Sequence, residues 1–479
     1  MQNLEHAGNG LSAALLDRVF SLAADKVRSL AASWNHADGA PVYTAKGRYK
    51  ARNWTQWTHG FQLGMPLLVF DATSDQAILA AACKSIMAVM PTHVSHTGVH
   101  DHGFNNISTY GNWRRLMREG RIPHDAAALN MLELALKASG AVQAHRWTAI
   151  PANPAEKPAL FDGGYIYSFN GPHSLFSDTI RSLRSLVVAW QLGHSLAGEN
   201  DVGINLLGRA MRHAMATARY NVYYGQGRDI YDFEPGRVVH ESIFNTNDGR
   251  YRCPSSQQGY SPFSTWTRGL AWILLGFAEQ LEFLHTLTAK DWTTLGADID
   301  PAATPDAVRT NVEAIYLNAA RSTADWYIEH SFDDGMVYWD AGAPDLPRPV
   351  RYHGAMSDPH NDHEPIDSSA AAIAGQGFFR LGRVLAGTDA AAARRYHHAA
   401  LCIAHTLFQE PYLSLQSDHQ GLILHSVYHR PNGWDYIPPG RKVPCGESSM
   451  WGDYHALELA LVLKRHLEGK PTPTFFEQP

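Results

Sequence analysis

The sequence predicts an all-α fold in which about twelve helices pair into a toroid. Apolar residues recur at three- and four-residue steps through most of the chain, whereas strict β alternation is scarce. The helical patterns are separated by long Gly-, Pro- and Asn-rich stretches at residues 148–173, 224–263, 332–366 and 411–446. Loops of that length exceed plain connectors, and their aromatic and His content places them at the mouth of a site. No Ser/Gly linker or charge block divides the 479 residues, so residues 1–479 are read as one domain.

The elements follow in order. Residues 11–33 carry Leu15, Val19, Leu22, Ala23 and Val27 on one stripe. Asp75 to Val89 is Ala-rich and is followed by Pro91. Further helical patterns start near Ser108, Asp125, Ser177, Val202, Ser264, Pro305, Ser368, Ala390 and Ser448, several behind a Ser or Asp suited to capping. Short strands are expected near Tyr165–Phe169 and Gly335–Tyr338.

Composition narrows the function. Lys plus Arg total 40 against 46 for Asp plus Glu, a net charge of −6 that offers no field for nucleic acid or an anionic membrane. An anionic ligand must therefore be held by local groups. The four cysteines (Cys83, Cys253, Cys402, Cys445) show no CxxC pair and read as free thiols. With no signal-peptide pattern and no run of about 20 apolar residues, a cytoplasmic location is expected. The 13 Trp and 20 Tyr suit both a core and the apolar face of a sugar.

Five clusters carry candidate chemistry. The first is His100-Asp101-His102-Gly103-Phe104, at a loop-to-helix junction. The second is Asp178, which opens a helix that continues Leu183, Leu186, Val187 and Trp190. Both acids also suit helix capping, so they gain meaning only if the fold brings them together as a pair in one cleft. The third runs from Gln257 and Gln258 through Trp266, Arg268 and Trp272, where an Arg among indoles can hold a carboxylate beside a sugar. In the fourth, Asp367 caps an Ala-rich helix whose Ser368 and Ser369 hydroxyls could bind an oxyanion. The fifth is Trp451-Gly452-Asp453-Tyr454, read as barrel closure with an aromatic wall. His353, His360, Asp362 and His363 lack helical zinc spacing and read as a solvated loop. No metal site is assigned.

In this order the segments resemble the unsaturated glucuronyl hydrolases, related to the rhamnogalacturonyl hydrolases. The resemblance runs from about Asn53 to Leu463. It rests on Trp57-Thr58-His59-Gly60-Phe61, His100 to Phe104, Asp178, Gln258 to Trp272 with the eight-residue step from Gln258 to Trp266, Asp367 to Ala372, and Gly452-Asp453-Tyr454. It implies an (α/α)6 barrel, an oligosaccharide substrate ending in a 4,5-unsaturated uronate, and no cofactor. Asp178 is implied as general acid and base, with a pKa raised by burial and by Asp101 as the second carboxylate. Trp57, His100, Gln258, Trp266, Arg268, Trp272, Ser368 and Ser369 are implied in substrate binding.

The sequence departs from the family at Gln257, where relatives often carry His, and at His102, where an apolar residue is usual. The segment 245–256 is long, and the family's upstream His has Arg228, Asp229 and His240 as candidates in its region. The residues themselves leave open a conventional glycosidase on saturated uronides, a sugar isomerase or epimerase, and a noncatalytic carbohydrate binder.

Overall fold

Among the described residues, twelve helical units alternate between an inner and an outer ring. The computed structural model describes residues 11–52, 56–151 and 163–477. Asn53, where the resemblance begins, lies outside the described residues, as do residues 1–10 and 152–162 of the first long loop. The outer helices are α1 (Ala13–Ser33), α3 (Gln76–Val89), α5 (Ala126–His145), α7 (Leu206–Tyr220), α9 (Pro305–Glu329) and α11 (Ala390–Leu407). The inner helices are α2 (His59–Thr73), α8 (Thr267–Leu284), α10 (Ser368–Leu385), α12 (Met450–Leu467) and two segmented units. Of these, α4 runs His102–Asn105, through a π-turn at Ile107–Gly111, into Asn112–Arg118, and α6 runs Thr179–Ser182 into Arg184–Gln191. The inner helices pack in the order α2, α4, α6, α8, α10, α12, and α12 returns to α2 to close the ring. The expected (α/α)6 barrel is the fold found.

Burial separates the rings. Outer α1 buries one side (Leu16, Val19, Phe20, Ala23, Ala24, Lys26, Val27 and Leu30) and leaves its other side exposed or half-buried. Inner α2, α8, α10 and α12 are buried on nearly every side. Such helices show no one-sided pattern, which is why α2, with Pro66 inside it, escaped the periodicity reading. A short extra helix, Ala289–Ile299, also escaped it. The expected strand near Tyr165 is present as Gly164–Ile166, paired with Trp147–Ala149. At Gly335–Tyr338 only an isolated bridge forms, between Tyr338 and Ile366.

Two motif glycines allow backbones to touch. A Cβ on Gly60 would lie 2.3 Å from Asn105 Cα, and one on Gly103 would lie 2.3 Å from the Ser182 carbonyl oxygen. These contacts set α2 against α4 and α4 against α6. The ring is also tied by buried ions. Arg181 pairs with Glu279 at 2.9 Å and with Glu458 at 2.7 Å, linking α6, α8 and α12.

Connections from inner to outer helices are short in most pairs, whereas those leading into α6, α8, α10 and α12 hold the long loops. The loops therefore gather at the end of the barrel where the inner helices begin. Among the described residues, no helix is long and apolar enough to cross a membrane.

Candidate active site

The cluster residues converge at the N-terminal ends of the inner helices. Asp101 precedes α4, Asp178 precedes α6, Trp266 precedes α8, Asp367 precedes α10 and Ser449 precedes α12. Helix N-termini carry partial positive charge, so this end of the barrel favours anions despite the net charge of −6. A cavity of about 460 Å3 opens there, with Trp57, Asp101, Gln258, Tyr428 and Trp434 among its lining residues. A smaller apolar groove of about 220 Å3, between α1, α2 and α3, has no carboxylate in its lining.

Asp101 and Asp178 are brought together through His100. The His100 Nε2 lies 3.2 Å from Asp178 Oδ1 and 3.8 Å from Asp101 Oδ1. All three side chains are buried. Both acids occupy N-cap positions, yet neither side chain makes a capping hydrogen bond. By contrast, Asp75, Asp125 and Asp389 accept from the amides of the helices they precede. Capping therefore does not account for Asp101 or Asp178. The backbone beneath them is fixed as well. The Ser182 hydroxyl donates to the His100 carbonyl at 2.7 Å, and the Gly103 amide donates to Ser182 Oγ at 2.8 Å.

The electrostatics reverse one expectation. Burial lifts the Asp101 carboxyl to about 6; the nearby His100 opposes this and the Asp178 charge reinforces it. Burial also works to lift Asp178, but the His100 hydrogen bond and charge, with His240 and Arg268, hold it below the ordinary carboxylate value. The raised carboxyl is thus Asp101, not Asp178. Burial would lower His100, yet Asp101 and Asp178 together keep its imidazole above the usual value. The His100 Nε2 thus hydrogen-bonds Asp178 and meets Asp101 only through charge.

Of Arg228, Asp229 and His240, it is His240 that lies close enough to act on Asp178. Its ring lies 4.6 Å from that of Trp266 and 4.5 Å from that of Phe176. The amides of Gln257 and Gln258 donate to its Nδ1 at 3.0 and 3.2 Å. Nδ1 is therefore the acceptor and Nε2 carries the proton. That Nε2 is buried without a protein partner, a donor left over beside the acids. Arg228 and Asp229 lie elsewhere, Arg228 stacking on Tyr223 at 4.0 Å. Only the tertiary fold separates these three candidates.

The aromatic wall differs in detail from the expectation. Arg268 is sandwiched between two indoles, but they are Trp266 at 4.7 Å and Trp451 at 4.5 Å. Trp272, one turn deeper on α8, packs against Phe104 at 5.0 Å and His455 at 4.9 Å inside the barrel. Arg268 is 1% exposed. It donates to the Val427 carbonyl, to the Tyr428 carbonyl at 2.9 Å and to Gln258 Oε1 at 2.6 Å. It therefore holds Gln258 against the 427–428 segment, and its guanidinium lies 3.8 Å from the buried Asp367 carboxylate. Trp57 lines the cavity and stacks on Trp451 at 5.1 Å.

Ser368 and Ser369 are fully buried. Ser369 donates to Asp367 Oδ1 at 2.5 Å and accepts from Trp451 Nε1 at 3.0 Å, while Ser368 shares a hydrogen bond with Ser426 at 3.2 Å. Asp367 accepts from the Ser369 amide as a cap. These hydroxyls serve the packing of α10 rather than an oxyanion. His353, His360, Asp362 and His363 lie on an exposed loop.

A closed ring of helical hairpins with a buried carboxyl pair beside a pocket fits one class, an (α/α)6-barrel hydrolase. No family model matches the chain. The chain is 24% identical over 439 residues to an unsaturated glucuronyl hydrolase of Bacillus sp. (strain GL1), covering 89% of this chain and 91% of that protein. It is 23% identical over 413 residues to an unsaturated glucuronyl hydrolase of Formosa agariphila, covering 86% and 80%. The crystal structure of the unsaturated glucuronyl hydrolase from Bacillus sp. GL1 superimposes with a TM-score of 0.65 at 22% identity, covering 94% of this chain and 97% of that one. Along most of its length the chain is therefore similar in sequence to the unsaturated glucuronyl hydrolases, the family its ordered motifs resemble.

Proposed function

We propose that this chain, acting as one catalytic domain, removes a 4,5-unsaturated uronic acid from the non-reducing end of lyase-generated oligosaccharides. The observation that carries the reading is the buried acid pair bridged by His100, with neither acid used as a cap. The names of the curated relatives point to the same chemistry. The four cysteines are free thiols, which fits a reducing, cytoplasmic setting.

The substrate's alkene is conjugated to its carboxylate and is also a vinyl ether through the ring oxygen. Asp178 delivers a proton to C4, and positive charge develops at C5, where the ring oxygen stabilises it. Asp178 then takes a proton from the water that adds to C5. The resulting hemiketal opens, and the bond to the neighbouring sugar breaks without attack at C1. The overall change is addition of water.

Asp178 must first hold a proton, and His100 supplies it. A sugar ring that closes over Asp178 strips water from it, which favours the neutral acid and draws the proton across the 3.2 Å contact. Asp101 holds sugar hydroxyls and helps set the proton affinity of His100. Trp57 and Gln258 face the sugar, while Trp266, Arg268 and Trp272 support that wall from behind.

The test is the ultraviolet absorbance of the alkene on a panel of lyase-made unsaturated disaccharides. Loss of absorbance with release of the neighbouring sugar is expected. Turnover of a saturated uronide with no loss on any unsaturated substrate would overturn the reading.

A further inference from the structure

His102 is the third residue of the His-Asp-His segment and points away from the cavity. Its ring is 1% exposed, and both nitrogens are engaged. Nε2 lies 2.9 Å from the His96 carbonyl, and Nδ1 lies 2.9 Å from Ser139 Oγ on α5. A carbonyl can only accept, so Nε2 carries the proton and Nδ1 accepts from the Ser139 hydroxyl. Ser139 Oγ in turn accepts from Asn106 Nδ2 at 2.8 Å. The hydrogen bonds thus run in one direction, from Asn106 through Ser139 and His102 to the backbone of His96.

That backbone belongs to a wall of the cavity. His96, Gly98 and Val99 line it together with Asp101, and residues 96–99 are half-buried or exposed whereas Asp101 is buried. Arg146 adds a second tie by donating to the Thr97 carbonyl. A terminal uronate that reaches Asp178 fills the deep part of the cavity, so the rest of the substrate passes the rim formed by 96–99. An apolar residue at position 102 could not donate to the His96 carbonyl, so the rim is held here by the imidazole.

We propose that His102 is a positioning residue that fixes the 96–99 rim against the leaving-group sugar and so helps set which leaving group this enzyme accepts. The proposal rests on the function proposed above. Because Asp101 and His102 are adjacent on one turn, the same backbone that presents the acid also anchors the rim.

The experiment compares the full-length wild type, His102→Leu, His102→Gln and Ser139→Ala on two substrates, a lyase-made unsaturated disaccharide and the methyl glycoside of the same unsaturated uronate. Deuterium exchange of the 95–99 amides is measured in parallel. His102→Leu is expected to raise KM for the disaccharide about tenfold, the scale of one hydrogen bond. Its kcat on the methyl glycoside is expected to stay within about twofold, since a methyl group does not reach the rim. The 95–99 amides should exchange faster. His102→Gln, which keeps a donor, should recover most of the effect, and Ser139→Ala should give a weaker version of it. Equal losses on both substrates would overturn the proposal, as would unchanged KM with unchanged exchange. If the wild type turned over neither substrate, the proposed function would fail, and unchanged exchange in His102→Leu would separately overturn the anchor.

Discussion

Replacing Asp178 by Asn tests the centre of the chemistry. The amide matches the carboxyl in size and still meets His100 Nε2, now 3.2 Å from Asp178 Oδ1, so the cavity keeps its shape. An amide cannot deliver or accept the proton. General acid–base catalysis is worth about 10²–10⁴ in rate, so kcat should fall by about 10³ while KM stays within about threefold. On the transition-state scale that is about 4 kcal/mol. The substitution also removes a charge from a coupled set. Asp178 helps to hold His100 up and helps to push Asp101 to about 6, so both should titrate at lower pH in the variant. Alkene absorbance under saturating substrate gives kcat, and NMR titration of the His100 ring protons gives the second readout. A kcat within tenfold of wild type, or a His100 titration that does not move, would refute the assignment.

Other perturbations follow from the same geometry. If Asp101 acts ionised and His100 acts protonated, kcat/KM rises as pH passes through about 6 and falls above the raised value of His100. Asp101→Asn should abolish the acid limb and move the basic limb to lower pH, because Asp101 helps to hold His100 up; a profile retaining its acid limb would contradict this. Gly103→Ala places a Cβ 2.3 Å from the Ser182 carbonyl oxygen and must part α4 from α6. It should cost about 1–3 kcal/mol in stability and about 10²-fold in kcat through misplacement of the acids, read by chemical denaturation and by turnover. Arg181→Met leaves Glu279 and Glu458 buried without their shared partner, so the denaturation midpoint should drop by the equivalent of about 3–5 kcal/mol. An unchanged midpoint would show that the remaining arginines compensate.

How far the sequence could be read depended on what each residue does locally. Outer helices such as α1 and α3 showed a stripe and a cap, because one side meets water. Inner α2 did not, because burial on every side erases the period that marks a helix. The acids stood out through their neighbours His100 and Gly103, but whether they capped a helix or faced a cavity was set by side-chain direction. The second indole around Arg268 came from Trp451, far along the chain, so helical spacing pointed to Trp272 instead. His240 carried no local mark; its importance comes from the Gln257 and Gln258 amides that fix its tautomer.

The raised carboxyl on Asp101, where the sequence argument expected it on Asp178, also follows from placement. Two buried acids near one imidazole cannot be treated alike once one of them holds the hydrogen bond. Asp178 is closer to His100 by 3.2 against 3.8 Å and also feels His240 and Arg268, so it takes the anionic role. Asp101 bears the burial cost and titrates near neutral pH. A proton carried by His100 is then already within one hydrogen bond of Asp178, the acid proposed to spend it. On that proposal the acid need not be neutral before the substrate arrives. What it needs is an imidazole that gives up its proton when the sugar displaces water, and the pair of carboxylates around His100 keeps that imidazole loaded until then.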